Sequence, residues 1–490
     1  MSCTRRLGAC AASCLLLAGL ALPARADTLP PLTDSQRASL SEAMHLWFGP
    51  LADSAAGSLG ITPAPAHYAV TLKLAVPPAG KGSKEVRHLG PLTAEAVPLP
   101  DGRWQLSAIT LPSPISLIPP GKHSDAVTMT FTDQNGTATL DPSLQKPSEG
   151  EGGFAAWAMR QVGESPFAAT AKQGHLHIAW APTVPGRMHI SQTATLQTLA
   201  IDAVDLFSAT PGGGPRISAD SLTLDTQLAD VTPRAFSGLT VLSANPLMKF
   251  ATVLLGGEAV KPDQRKELQA LLTSLRELAR GTTGTLSAHH ISFQSPDYSV
   301  SLDSFVSRQE FAGVQDRLAL HQRVELTGLT LPPTTFGISA SMLPHHLVLA
   351  PSVTDIPQSA MFALLDRLGT DPKADMDSMM EDVTTTLAAH PIKAGLDELS
   401  FDLGPSEVSG HGALTLSGSH YTGSADITAT HLDALIALVR QQPSLHTDLT
   451  ALIMLRGLAK IDGDLASWHL DFDGLNLLVN GQDITNRGQD

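Results

Sequence analysis

Along much of the chain apolar and polar residues alternate one by one. Val70, Leu72, Leu74 and Val76 are separated by Thr71, Lys73 and Ala75, the two-residue period of a strand with one buried face. Pro100-Asp101-Gly102 turns the chain into Trp104, Leu106 and Ala108. Val127, Met129 and Phe131 predict a further strand, with Asn135-Gly136 as a hairpin turn and a return along Thr137 to Leu140. The same alternation marks His175 to Ile178, then Leu222, Leu224 and Leu228, then Tyr298, Val300 and Leu302. Short turns between such strands imply antiparallel pairing, and Ser, Thr and Gly at the outward positions imply a wet face.

Helical spacing interrupts this pattern. A first helix is predicted with Asp34 as its cap, Leu40, Ala43, Met44 and Trp47 on one face, and a stop at Gly49-Pro50. Three helical pairs follow, at 234–255 with 263–279, 358–368 with 372–389, and 432–440 with 445–458. The second member of the first pair runs from Pro262 to Gly281 with Leu268, Leu271, Leu272, Leu275 and Leu278 as its stripe. In the second pair Asp371 caps a stripe of Met376, Met379, Met380, Val383 and Leu387. After the first pair come Gly284, Leu286, Ile291 and Phe293, and after the third Gly463, Leu465, Leu470 and Phe472, at identical offsets. A contracted form, Gly395, Leu396, Leu399 and Phe401, follows the second. The predicted fold is therefore α+β: a mainly antiparallel, strongly curved β-sheet with helical hairpins packed on one face, in repeated helix-helix-strand units. The organisation reads as a leader at 1–26, a β-rich region with one leading helix at 27–232, and three helix-helix-strand units at 233–490.

The leader changes the picture of compartment. Arg5 and Arg6 precede an apolar stretch from Leu7 to Leu22, and Ala24-Arg25-Ala26 is a small-x-small triplet, so cleavage is expected between Ala26 and Asp27. All three cysteines, Cys3, Cys10 and Cys14, lie in that segment, so the exported chain would carry no disulfide, thiolate metal site or cysteine nucleophile. The formal charge of −15 becomes three units more negative once Arg5, Arg6 and Arg25 are removed, which argues against nucleic acid as a partner. No second stretch of about 20 apolar residues suggests a transmembrane segment.

Catalytic motifs are missing. Gly163-Glu164-Ser165-Pro166-Phe167 and Gly337-Ile338-Ser339-Ala340-Ser341 lack the closing glycine of a nucleophile elbow, and Pro211-Gly212-Gly213-Gly214-Pro215 lacks the lysine of a phosphate loop. Asp462-Gly463-Asp464 and Asp471-Phe472-Asp473-Gly474 are too sparse for a calcium loop. Asp471, Asp473 and His469 share the strand face opposite Trp468, Leu470 and Phe472. Among the 18 histidines, His175 and His177 project from one side of a strand without a third ligand. The pairs His289-His290 and His345-His346 should each point to opposite faces. Asp375, Asp377, Glu381 and Asp382 read as the solvated face of a helix. No catalytic, cofactor or metal residue is assigned.

One stretch carries a resemblance. Leu399-Ser400-Phe401-Asp402-Leu403-Gly404-Pro405, Ser409-Gly410-His411-Gly412-Ala413-Leu414-Thr415-Leu416 and Asp473-Gly474-Leu475-Asn476-Leu477-Leu478-Val479-Asn480-Gly481, within 396–485, resemble the C-terminal part of AsmA-like bacterial envelope proteins and related periplasmic families. The resemblance implies a periplasmic, non-enzymatic envelope protein that shields or carries lipid-like amphiphiles, and it transfers no site residue. The free apolar face would be lined by side chains such as Val300, Leu302, Leu318 and Leu320. Two other readings stand beside it. One is a periplasmic hydrolase with an Asp/Glu/His site assembled from distant segments; low aromatic content disfavours sugar stacking. The other is a scaffold that binds an envelope protein through an exposed sheet edge.

Overall fold

The computed structural model describes residues 29–48, 59–76, 87–117, 126–141, 146–162, 167–203, 215–232, 281–295, 299–314, 316–332, 342–363, 376–441 and 446–484. The leader with its Ala26/Asp27 junction, the first helical pair at 234–279, Gly49-Pro50 and Asp375 lie outside these residues.

Among the described residues 24 strands belong to one sheet, and every pairing between them is antiparallel. It begins with β1 (Leu59–Pro63), β2 (Tyr68–Val76), β3 (Arg87–Pro98) and β4 (Trp104–Thr110), paired in sequence. Next in space to β4 lies β7 (Asn135–Asp141), then β8 (Lys146–Phe154), β11 (Gln173–Val184) and β12 (Arg187–Ala203). A side branch of β5 (Ile115–Leu117), β6 (Ala126–Thr132), β9 (Ala156–Val162) and β10 (Phe167–Ala171) joins the far end of β12. From β12 the sheet is a meander of long strands: β13 (Arg216–Val231), β14 (Gly281–Gln294), β15 (Ser299–Val314), β16 (Arg317–Thr327) and β17 (His346–Pro357). It continues through β18 (Ile392–Leu403), β19 (Ser406–Ser417) and β20 (His420–Thr430). The last strands are β21 (Lys460–Asp462), β22 (Leu465–Asp473), β23 (Asn476–Val479) and β24 (Gln482–Asp483); β22 pairs with β20.

The α+β expectation is overturned. The described helices are short and few: α1 (Asp34–Phe48), a segment at 358–363, α2 (Met376–Ala389), α3 (Leu432–Arg440) and α4 (His446–Leu458). They form no layer over the sheet, and the repeated helix-helix-strand units do not organise it. The physical reason is length. A helix of 9 to 15 residues spans about 13 to 23 Å at 1.5 Å per residue. The meander from β11 to β22, at about 4.8 Å per strand, is on the order of 50 Å across.

Local chemistry sets the helix ends. Thr33, not Asp34, caps α1. Its hydroxyl accepts from the Gln36 backbone N–H at 3.2 Å, and the Gln36 side chain accepts from the Thr33 N–H at 3.1 Å, a reciprocal capping box. Leu40 and Met44 of α1 are fully buried against Leu72, Leu92, Leu106 and Leu140 of β2, β3, β4 and β7. At the other end α3 buries Leu432, Leu435, Ile436 and Val439 against Ala429, Ala466 and Trp468. Trp468 Nε1 donates to the Leu455 carbonyl at 2.8 Å, and Asn480 donates to the Leu458 carbonyl at 2.8 Å, which ties α4 to β22.

The predicted hairpin at Asn135-Gly136 is also corrected. β6 pairs with β9, and β7 pairs with β4 and β8, so the chain crosses from the side branch to the main sheet between them. The left-handed residue is Asp133 (φ 48°), not Asn135 or Gly136. Gln134 holds the crossing by donating to and accepting from the Leu111 backbone, both at 2.9 Å.

Candidate functional site

Residues opposite one another in an antiparallel pair project to the same side of the sheet, so the registers trace rows of side chains across many strands. One row runs Leu196, Leu222, Ala288, Phe305, Leu326, Leu347, Phe401, Val408, Ala429 and Ala466, from β12 to β22. The adjacent row on the same side runs Leu176, Ala194, Leu224, Leu286, Ser307, Val324, Leu349, Leu399, Gly410, Ile427 and Trp468. A further row two steps away runs Ile190, Leu228, Thr282, Phe311, Leu320, Val353, Ala394, Leu414, Gly423 and Phe472. These three rows make one side of the meander largely apolar.

The two ends of this side are closed. The row through Ala96, Leu106, Ala138, Gly150 and Ile178 joins it to the strands under α1. Trp468, Ala429 and Ala466 lie under α3. Between these ends Ile190 is buried with Trp180, Met188 and Val231, and Leu228 packs against them, while other large apolar side chains stay open: Leu176 is 43% exposed, Leu224 40%, Leu320 42% and Leu349 40%. Among the described residues no helix contacts β12 to β17 as α1, α3 and α4 contact the ends. Four residues expected to line such a face, Val300, Leu302, Leu318 and Leu320, all project to this side; Leu318 is buried and Leu320 is open.

A cleft of about 350 Å³ lies toward the α3 end, walled by Leu396, Leu399, Leu414, Ile427, Leu470 and Phe472. Its floor is glycine: Gly410, Gly412 and Gly423 occupy row positions where other strands carry large side chains. A Cβ on Gly423 would lie 2.3 Å from the Ala413 carbonyl oxygen, and one on Gly412 would lie 2.6 Å from the Ala425 Cβ. β19 and β20 thus approach too closely for any side chain there, and that absence of side chains hollows the cleft.

The opposite side carries the ionisable groups. Asp397 accepts from the Ser352 hydroxyl at 2.7 Å and lies 3.0 Å from His321 Nδ1. Partial burial pushes its carboxyl up, but the Ser352 and His321 hydrogen bonds outweigh that and hold it below the usual aspartate value. Arg323 bridges Glu398 and Glu325, and the Glu398 hydrogen bond holds its guanidinium charge firmly. On β19, β20 and β22, His411, Asp426, His469 and Asp471 form a ladder: His469 Nδ1 is 2.7 Å from Asp426, and its Nε2 is 3.3 Å from Asp471. Hydrogen bonding to Asp426 and the Asp471 charge raise the His469 imidazole above its ordinary 6.5.

These clusters do not assemble a hydrolytic nucleophile. The Ser352 proton is directed to a carboxylate, and His321 sits on the far oxygen of that carboxylate, so the histidine is not placed to activate the serine. Among the described residues no group of three or more His, Cys, Asp or Glu side chains is arranged to hold a metal ion. His175 pairs with Glu151 at 2.8 Å. His289 and His290 do not split between faces as expected: His290 adopts φ 49°, and both lie off the apolar side between Ala288 and Ile291. Asp462-Gly463-Asp464 is the turn between β21 and β22. Among the described residues no helix is long and apolar enough to cross a membrane. No family model, curated protein or solved structure matches the chain.

Proposed function

We propose that this chain shields or carries lipid-like amphiphiles along the apolar side of its sheet, without catalysis, after export through its N-terminal leader to the periplasm. The observation that supports the reading is the run of apolar rows across the meander, with Leu176, Leu224, Leu320 and Leu349 open among the described residues and helices at both ends. A folded protein seldom leaves so broad an apolar surface to water unless something covers it. Each methylene laid on such a surface gains about 0.8 kcal/mol, so a chain of about 16 carbons gains on the order of 10 kcal/mol before the costs of association. The likeness of the 396–485 region to AsmA-like envelope proteins supports the same reading, because its glycine-marked segment, Gly410 and Gly412, forms the floor of the cleft.

Solvent extraction of the protein purified under native conditions, followed by mass spectrometry, tests the proposal. Acyl lipids should be recovered from the wild type and depleted severalfold from a Leu320→Glu/Leu349→Glu variant, whose substituted positions are open enough to accept charge without unfolding. A clean extract from the wild type would overturn the reading.

A further inference from the structure

Between the two apolar lanes of β12 to β16 runs one polar lane. Gln192 faces Thr226, Thr226 faces Gly284, Gly284 faces Gln309 and Gln309 faces Gln322, all on the apolar side. Beyond β16 the lane turns apolar: Leu396 faces Gly412, Gly412 faces Ala425 and Ala425 faces Leu470. The polar stretch is uncharged throughout. Asp225, Arg308, Glu310 and Arg323 of these strands all project to the other side. Within the described residues the Gln309 and Gln322 amides have no side-chain hydrogen bond to the protein.

Resting on the amphiphile reading above, we propose that the occupant carries a neutral acyl linkage, an ester or amide, seated on the Gln192–Gln309–Gln322 lane, with its hydrocarbon running toward the glycine-floored cleft. An open amide is solvated by water; under plain hydrocarbon it would lose that water with nothing in return. A linkage carbonyl restores the bond by accepting from a glutamine NH2, and a neighbouring hydroxyl or N–H donates to the glutamine oxygen. An ionised group finds no counter-charge on this lane, so it must point away from the face. The polar lane and the cleft thereby give the face a direction, with the linkage over β14 to β16 and the chain over β18 to β22.

The test uses the full-length delipidated protein and two probes of equal chain length, 1-monopalmitoylglycerol and its ether analogue 1-O-hexadecylglycerol, which lacks the carbonyl. Calorimetry should show the ester bound about tenfold more tightly, the worth of one retained hydrogen bond. A Gln309→Leu/Gln322→Leu variant, which places leucine on an apolar strand face and should keep its thermal melt, should reduce ester affinity to that of the ether. The single variants should each fall between. Equal binding of the two probes to the wild type, or an ester preference that survives the double variant, would overturn this proposal while leaving the amphiphile reading intact. If neither probe binds the wild type, the amphiphile reading itself fails.

Discussion

At Gly423 a single methyl group decides whether two strands can pair. With the Ala413 carbonyl 2.3 Å from where its Cβ would stand, Gly423→Ala should cost about 1–3 kcal/mol, measured by urea unfolding. Gly457, with nothing within 4 Å and a place inside α4, should behave oppositely: Gly457→Ala should stabilise by up to about 1 kcal/mol. Titration gives a second check. His469 has its folded pKa raised by Asp426 and Asp471, so its stabilising contribution is complete below about 6.5 and is lost as pH rises through the raised value. NMR titration of the His469 imidazole should show its pKa fall toward 6.5 in Asp426→Asn; an unchanged value would mean that the ladder is not electrostatic. The ladder was half legible in the sequence. His469, Asp471 and Asp473 could be placed on one strand face, but Asp426 and His411 join them only through the β19–β20–β22 register, which local periodicity does not encode.

Between elements, the apolar rows survive because the strands slip phase together. Leu196 and Leu199, Ala219 and Leu222, Ala288 and Ile291, and Leu302 and Phe305 are three apart with two polar residues between, and Leu326 and Leu329 are three apart with Thr327 and Gly328 between. An extra residue in one strand would turn the remainder over; here the ladders skip a residue on both strands at once, Thr198 with Asp220 and His290 with Asp303, so the register is kept. Left-handed residues mark the slip at Thr198 (φ 51°), His290 (φ 49°) and Gly328 (φ 69°). The same registers expose a repeat of strand pairs. Arg187, Met188, Ile190, Gln192, Ala194 and Leu196 of β12 correspond to Arg317, Leu318, Leu320, Gln322, Val324 and Leu326 of β16. Each arginine donates to the carbonyl of a left-handed aspartate on the next strand, Arg187 to Asp230 at 2.6 Å and Arg317 to Asp355 at 2.7 Å. In this repeat Thr198 stands where the other copy has Gly328. A β-branched residue in that conformation is strained, so Thr198→Gly should stabilise by about 1 kcal/mol in denaturant unfolding, and Thr198→Val should not. Strict alternation therefore underread the strands: the slip looks like a break in a two-residue pattern, although it is the device that preserves the face. The helix-centred repeat was misplaced for a related reason. Gly284 lies on the apolar side opposite Thr226, whereas Gly395 lies opposite Ser352 on the other side, so those glycines are not equivalent.

Among the described residues the architecture is a single sheet whose polar side is laced with ion pairs and whose largely apolar side keeps several large side chains open between the helices at its two ends. Helices at 376–389, 432–440 and 446–458 fall within the expected 372–389, 432–440 and 445–458, and the strand faces of β2, β11 and β13 were legible from their alternation. Their relation was not, because a stripe says that a helix has a partner but not whether it covers a sheet or closes its end. Surface ion pairs such as Arg456 with Asp433 lock α3 to α4 but add little net stability, so among the described residues the fold rests on the two buried clusters at the ends, on a third around Trp180, Met188, Ile190 and Val231 of β11 to β13, and on the pairing of the long strands. The long apolar side is then the feature that folding alone does not require. Site-specific photocrosslinking in cells examines it most directly, with a photoreactive phenylalanine placed at Leu224, Leu349 or Leu399 on the apolar side and at Val306 or Ser400 on the other. Labelling by acyl lipid at the first three positions and none at the last two is the predicted result; equal labelling of both sides, or none at Leu224 and Leu349, would contradict it.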